Sequence, residues 1–117
     1  MKPVPNFYHK GLASGKWEKL DFFEQMANIG SEVERAIKWR STNPEYSQQA
    51  FFRALELVDF TRLDPKNKTR GKLRELCRMR ECLVDYFFGS NIYKSSDSLW
   101  QKYFRAFAFA ASRKKGR

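Results

Sequence analysis

The side chains with the most evident chemistry in this sequence are cations. Lys66, Lys68, Arg70, Lys72, Arg74, Arg78 and Arg80 crowd one stretch, and Arg113, Lys114, Lys115 and Arg117 form a second group. Clustered fixed cations concentrate polyanions at a surface and neutralise phosphates. They do not by themselves break bonds. Proton transfer near neutrality calls for a group that titrates there, and histidine is the side chain that does so unperturbed. The one histidine, His9, lies among Pro3, Pro5 and Gly11. A Ser-His or Cys-His nucleophile therefore has no evident base. Zinc wants about four Cys, His or carboxylate ligands, which Cys77, Cys82 and His9 do not supply. Glycine-rich phosphate loops are absent too. No catalytic residue, metal or cofactor is expected.

The 117 residues carry 23 Lys+Arg and 13 Asp+Glu, a formal charge of +10, with 11 Phe, 5 Tyr and 3 Trp. Such aromatic content belongs to a chain with a core and not to a disordered basic tail. The charge is unevenly placed. Residues 1–64 hold nine Lys+Arg against nine Asp+Glu, a net of zero; residues 65–117 hold fourteen against four, a net of +10. The expected contact set for nucleic acid is Lys66, Lys68, Arg70, Lys72, Arg74, Arg78, Arg113, Lys114 and Lys115, with Tyr93, Trp100 and Tyr103 as stacking surfaces if exposed. The pattern serves RNA and DNA alike. An acidic protein partner, or a merely solvated face, accounts for the same charges.

Arg80 is set apart by its position. At helical spacing it shares a face with Leu73, Cys77, Val84 and Phe87, where an unpaired charge would be costly. Glu34, Glu56 and Asp59 are candidate partners for an interhelical ion pair. The alternative is a rim position, with the stem packed and the head in water.

The phrase Arg80, Glu81, Cys82, Leu83, Val84, Asp85, Tyr86, Phe87 resembles the signature of HEPN-domain proteins. These are small helical bundles, many of them ribonuclease toxins or partners of small nucleotidyltransferases. The resemblance aligns Arg80 with the family's arginine, Glu81 with its polar residue and Tyr86 with a nearby tyrosine. Asp85 stands where the family has histidine. An aspartate titrates near 4, so the resemblance implies a relative that binds without cutting. A HEPN-type ribonuclease or toxin-antitoxin-like component centred on Arg80, and an assembly module of unknown partner, are the alternatives. Ala54-Leu55-Glu56-Leu57 and the phrase from Trp100 to Phe104 also resemble short bacterial proteins, which implies no activity. Glu32 with Glu34 and Glu56 with Asp59 lack a third carboxylate and fit salt bridges to Arg35, Arg53 or Arg62 better than acid-base work. Ser95 to Ser98 fits a helix cap better than a phosphate site, because Asp97 would repel an anion.

Four helices must position these groups. Trp17, Leu20, Phe23, Met26 or Ala27, Gly30, Val33 and Ile37 form a stripe running to about Arg40, with Gly30 marking a close crossing or a kink. Asn43 and Pro44 suit the N-cap and first position of a second helix, which Asp64-Pro65 ends. A third helix carries Leu73, Leu76 or Cys77, Arg80, Leu83 or Val84 and Phe87, and Gly89 suits the position just past its end. Ser96 or Asp97 caps a fourth, with Trp100, Phe104, Phe107 and Ala111. β-branched residues nowhere alternate with polar ones. The expected fold is all-α: an antiparallel four-helix bundle with short connections. Residues 1–15 read as an arm, 16–112 as one domain and 113–117 as a basic tail.

Cys77 and Cys82 point about 140° apart on a helix, so they are expected as buried free thiols of a reducing, cytoplasmic compartment. No apolar run approaches the roughly 18 residues of a membrane span, and no signal-peptide h-region is present. Phe22, Phe109 and the adjacent Phe51 and Phe52 fall off the main stripes. They point to a homo-oligomer surface, or to a patch covered by Phe7 and Tyr8 of the arm.

Overall fold

The computed structural model describes residues 15–115, and Lys115 by its backbone alone. Phe7, Tyr8 and His9 lie outside the described residues, as does Arg117. Four helices follow one another: α1 (Phe22–Trp39), α2 (Pro44–Leu63), α3 (Arg70–Phe88) and α4 (Asp97–Lys115). Single 3₁₀ turns, Lys16–Lys19 and Pro65–Asn67, precede α1 and α3. Among the described residues there is no strand. The fold is an antiparallel four-helix bundle.

Side-chain pairs define the directions. Ser47 near the start of α2 donates to the Ala36 carbonyl near the end of α1 (2.6 Å), and Arg53 pairs with Glu32 (3.1 Å). Arg80 of α3 meets Asp59 of α2, and Phe87 stacks on Phe51 at 4.8 Å. Lys114 at the end of α4 reaches Asp21 at the start of α1 (2.9 Å), and Asp97 reaches Arg40 (2.6 Å). Every neighbouring pair is thus antiparallel, while α1 and α3 run parallel across the diagonal.

The helix ends are made by short-range chemistry. Asp21 and Glu24 form a reciprocal capping box on α1. Asn43 caps α2 with Pro44 in its first turn, and Asp64 ends it in extended geometry. Thr69 accepts from the Lys72 N–H to cap α3, and Ser96 accepts from the Leu99 N–H to cap α4. The core holds Met26, Ile29, Val33, Phe51, Val58, Leu76, Leu83, Trp100 and Phe104. Full burial of each large apolar side chain contributes about 1.5–3 kcal/mol.

Three expectations change. Phe23 is 42% exposed, and Phe22 takes the inward place, its ring edge-on to Phe107 at 6.0 Å. Leu20 and Asp21 are extended, so Trp17 and Leu20 belong to a separate turn and do not share the phase of α1. The thiols are not buried: Cys77 is exposed and Cys82 half-buried. The inward face of α3 is Leu76, Met79 and Leu83, and Cys77 lies a further 100° around the helix. Burial raises the Cys82 thiol pKa. Gly89 closes α3 in extended geometry (φ −99°), and the left-handed residues of the turn that follows are Asn91 and Lys94. Glycine is needed there for space, since a Cβ would stand 2.9 Å from the Asp85 carbonyl oxygen.

No helix among the described residues is long and apolar enough to cross a membrane.

Candidate nucleic-acid interface

The Thr69 cap sets the phase of α3. Leu76, Met79 and Leu83 turn inward, so Arg70, Arg74 and Arg78, spaced four apart, form an outward row. At 1.5 Å per residue their positions are separated by about 6 Å along the helix. All three are exposed, and none makes an ion pair among the described residues.

Helix α4 repeats the arrangement. Trp100, Phe104 and Ala111 are buried, which turns Lys102, Arg105, Phe109 and Arg113 outward at offsets of three, four and four. From Ser98 to Lys115 this helix has no acidic residue. Phe109 is 62% exposed, and the Arg113 guanidinium lies 5.8 Å from its ring centroid. α3 and α4 are joined by the Tyr103 hydroxyl, which donates to Glu75 (2.7 Å), and by Tyr86, which donates to Asp97. Burial, then the Glu75 hydrogen bond and charge, raise the Tyr103 pKa far above its ordinary value, so the phenol stays protonated and donates.

The expected contact residues divide in two. Lys68, Arg70, Arg74, Arg78 and Arg113 are exposed. Three others are engaged within the chain. The Lys66 ammonium donates to the Asp64 carboxylate and to the Glu18 carbonyl (2.8 Å). Lys72 lies 5.1 Å over the Phe22 ring. Lys114 pairs with Asp21, which raises the Lys114 pKa. Lys72 and Lys114 therefore both meet the start of α1, and the two sequence clusters converge on one end of the bundle. The side chain of Lys115 lies outside the described residues.

Lys102 and Arg105 were missed because they stand outside both runs of charge. Their signal was the regular spacing to Phe109 and Arg113 on a helix without acids. Two of the three aromatics expected as stacking surfaces turn inward: Trp100 is buried and Tyr103 half-buried, both packed against Phe104. Tyr93 is exposed, with its hydroxyl donating to Glu81 (2.8 Å).

The residues of the HEPN-like phrase face three ways. Arg80 makes a two-point pair with Asp59 (2.9 and 3.2 Å), which also holds Arg62 (2.9 Å). Both partners are more than a third exposed, so Arg80 is at once an interhelical partner and a rim residue. Asp85 accepts from the Ile92 and Tyr93 N–H groups (3.0 and 3.1 Å), closing the turn after α3. Tyr86 donates to Asp97, the carboxylate that also pairs with Arg40. Burial alone would raise the Asp97 pKa, but hydrogen bonds from Arg40 and Tyr86 hold it below its ordinary value. Arg80, Asp85 and Tyr86 thus each hold the bundle together, at three separate places.

Comparison with family models, curated proteins and solved structures returned no match.

Proposed function

We propose that this bundle is a non-catalytic nucleic-acid-binding module that holds a phosphate backbone across the outward faces of α3 and α4. The observation that carries the reading is the arginine row Arg70, Arg74, Arg78: exposed, evenly spaced and free of intramolecular ion pairs among the described residues. Long cationic side chains left unpaired along one face suit an extended polyanion, whose condensed counterions they displace. Lys102, Arg105 and Arg113 extend the surface.

The test is a salt titration with labelled RNA and DNA oligonucleotides, followed by fluorescence anisotropy. Six engaged cations give a loss of about 10³-fold in affinity between roughly 50 and 200 mM salt. The triple variant Arg70→Glu, Arg74→Glu, Arg78→Glu should reduce the slope of log affinity against log salt by about half or more. An unchanged slope in that variant, or no association at low salt, overturns the proposal. RNA incubated with the purified protein should stay intact; cleavage that Arg80→Ala abolishes would instead favour the ribonuclease alternative.

A second observation favours self-association through the other end of the bundle, about 27 Å along α3 from Arg70. Phe52 of α2 and Phe88 of α3 stack at 5.8 Å with 20° between the rings, and are 38% and 52% exposed. Phe52→Ser with Phe88→Ser should convert a dimer to monomer in sedimentation velocity, with oligonucleotide binding retained per chain. A wild-type protein that sediments as a monomer at high concentration sinks this second reading.

A further inference from the structure

Resting on the nucleic-acid reading above, we infer that the bound strand is single-stranded and that Phe109 stacks on one of its bases. An exposed apolar side chain alone is ordinary. The setting of Phe109 is not. It stands four residues after Arg105 and four before Arg113, with Lys102 a further turn away. One cation, Arg113, already lies over the ring, and the side chain is 62% exposed. This is the pairing of aromatic platform and backbone-neutralising cations that single strands use.

The alternatives fit less well. A duplex keeps its base faces stacked inside, so a ring reaches one only at the cost of unstacking a step, whereas a single strand offers its base faces directly. An apolar protein partner would have to desolvate Lys102, Arg105 and Arg113 to reach the ring, and interface cores are depleted of charge. The contiguous exposed aromatic patch lies elsewhere, at Phe52 and Phe88. The charge on this face is complementary to a phosphate chain, and the exposed Phe109 ring amid it is complementary to a base.

Fluorescence anisotropy on the intact chain tests this, with a labelled single-stranded oligonucleotide of about twenty nucleotides beside a duplex of the same length. The single strand should bind about tenfold or more tightly than the duplex. Phe109→Ala should weaken single-strand binding by roughly five- to one-hundred-fold, the worth of one stacked base. It should leave the salt slope and the duplex affinity unchanged, and Phe109→Trp should restore binding. Because the side chain is exposed, the melting temperature of the alanine variant should match wild type, which separates stacking from folding. Equal affinity for duplex and single strand, or an indifferent Phe109→Ala, overturns the inference while leaving the salt-dependent reading intact. Displacement of the oligonucleotide by polyglutamate at equal charge concentration also overturns it, in favour of an acidic protein. Failure to bind either nucleic acid at low salt overturns the proposed function itself.

Discussion

Gln25→Ala is expected to lower stability by about 3–5 kcal/mol. Gln25 is fully buried on α1. Its amide nitrogen donates to the Trp17 carbonyl (3.1 Å) and to the Asp64 carboxylate (2.8 Å), and its oxygen accepts from Asn67 (2.8 Å). Asn67 also donates to the Thr61 carbonyl (3.0 Å), and the Trp17 indole donates to the Thr61 hydroxyl (3.0 Å). One side chain thus joins the turn before α1, the end of α2 and the turn before α3. Truncation leaves three polar groups short of a partner in a water-excluded place, each costing about 1–3 kcal/mol. For a domain near 100 residues the melting temperature should fall by more than about 10 °C. Thermal unfolding by circular dichroism measures it; a fall under about 3 °C would show that the cluster does not hold the end of the bundle.

The same cluster makes stability depend on pH. Burial alone would raise the Asp64 pKa, but hydrogen bonds from the Lys66 ammonium, Gln25 and the Lys66 backbone N–H, with the Lys66 charge, hold it below its ordinary value. A carboxylate depressed in the folded state contributes stability above its unfolded pKa, near 3.9, and loses it as pH falls through the folded value. The urea midpoint should therefore decline below about pH 4. Asp64→Asn should flatten the part of the decline that belongs to this residue, and a profile unchanged by that substitution would assign the decline to other carboxylates.

Gly30→Leu is expected to cost about 3 kcal/mol, while Gly71→Ala should gain a few tenths to about 1 kcal/mol. A Cβ at position 30 would stand 2.6 Å from the Phe104 Cβ. That atom is fixed to the backbone of α4 and cannot swing aside, so the two helices must separate. Overpacking of this kind outweighs the helix propensity gained by replacing glycine. At position 71 a Cβ meets nothing within 4 Å, so the propensity gain stands alone. Urea denaturation of the pair should give shifts of opposite sign. Stabilisation by both substitutions would mean that α1 and α4 do not approach closely at Gly30.

How far this structure was legible depends on the range of the interactions concerned. Asn43-Pro44, Asp64-Pro65 and Ser96 mark helix boundaries because caps act within three or four residues, and the structure places ends at each. Gly30 stood out as a close crossing or a kink, and the Phe104 Cβ only 2.6 Å from where its own Cβ would stand decides for the crossing. Met26, Gly30 and Val33 do lie on the buried face of α1, but where that helix starts was not readable. Trp17 and Leu20 match the period of the helix, yet Leu20 and Asp21 are extended and interrupt it. Gln25 gave no signal at all, since a buried amide looks like a surface one until its partners, up to 42 residues away, are known.

The basic face divides the same way. Net charge adds along the chain, so the sequence alone determined that residues 65–117 carry the whole +10 and that helical spacing gathers Arg70, Arg74 and Arg78. Which cations stay free was decided by the tertiary structure, because ion pairs form with whatever side chain lies across a helix seam. Asp64 takes Lys66, Asp21 takes Lys114 and Asp59 takes Arg80, whereas Arg70, Arg74, Lys102 and Arg105 find no acidic partner among the described residues. Packing also sent Trp100 inward and left Phe109 outside, since only one face of α4 can be buried against the bundle.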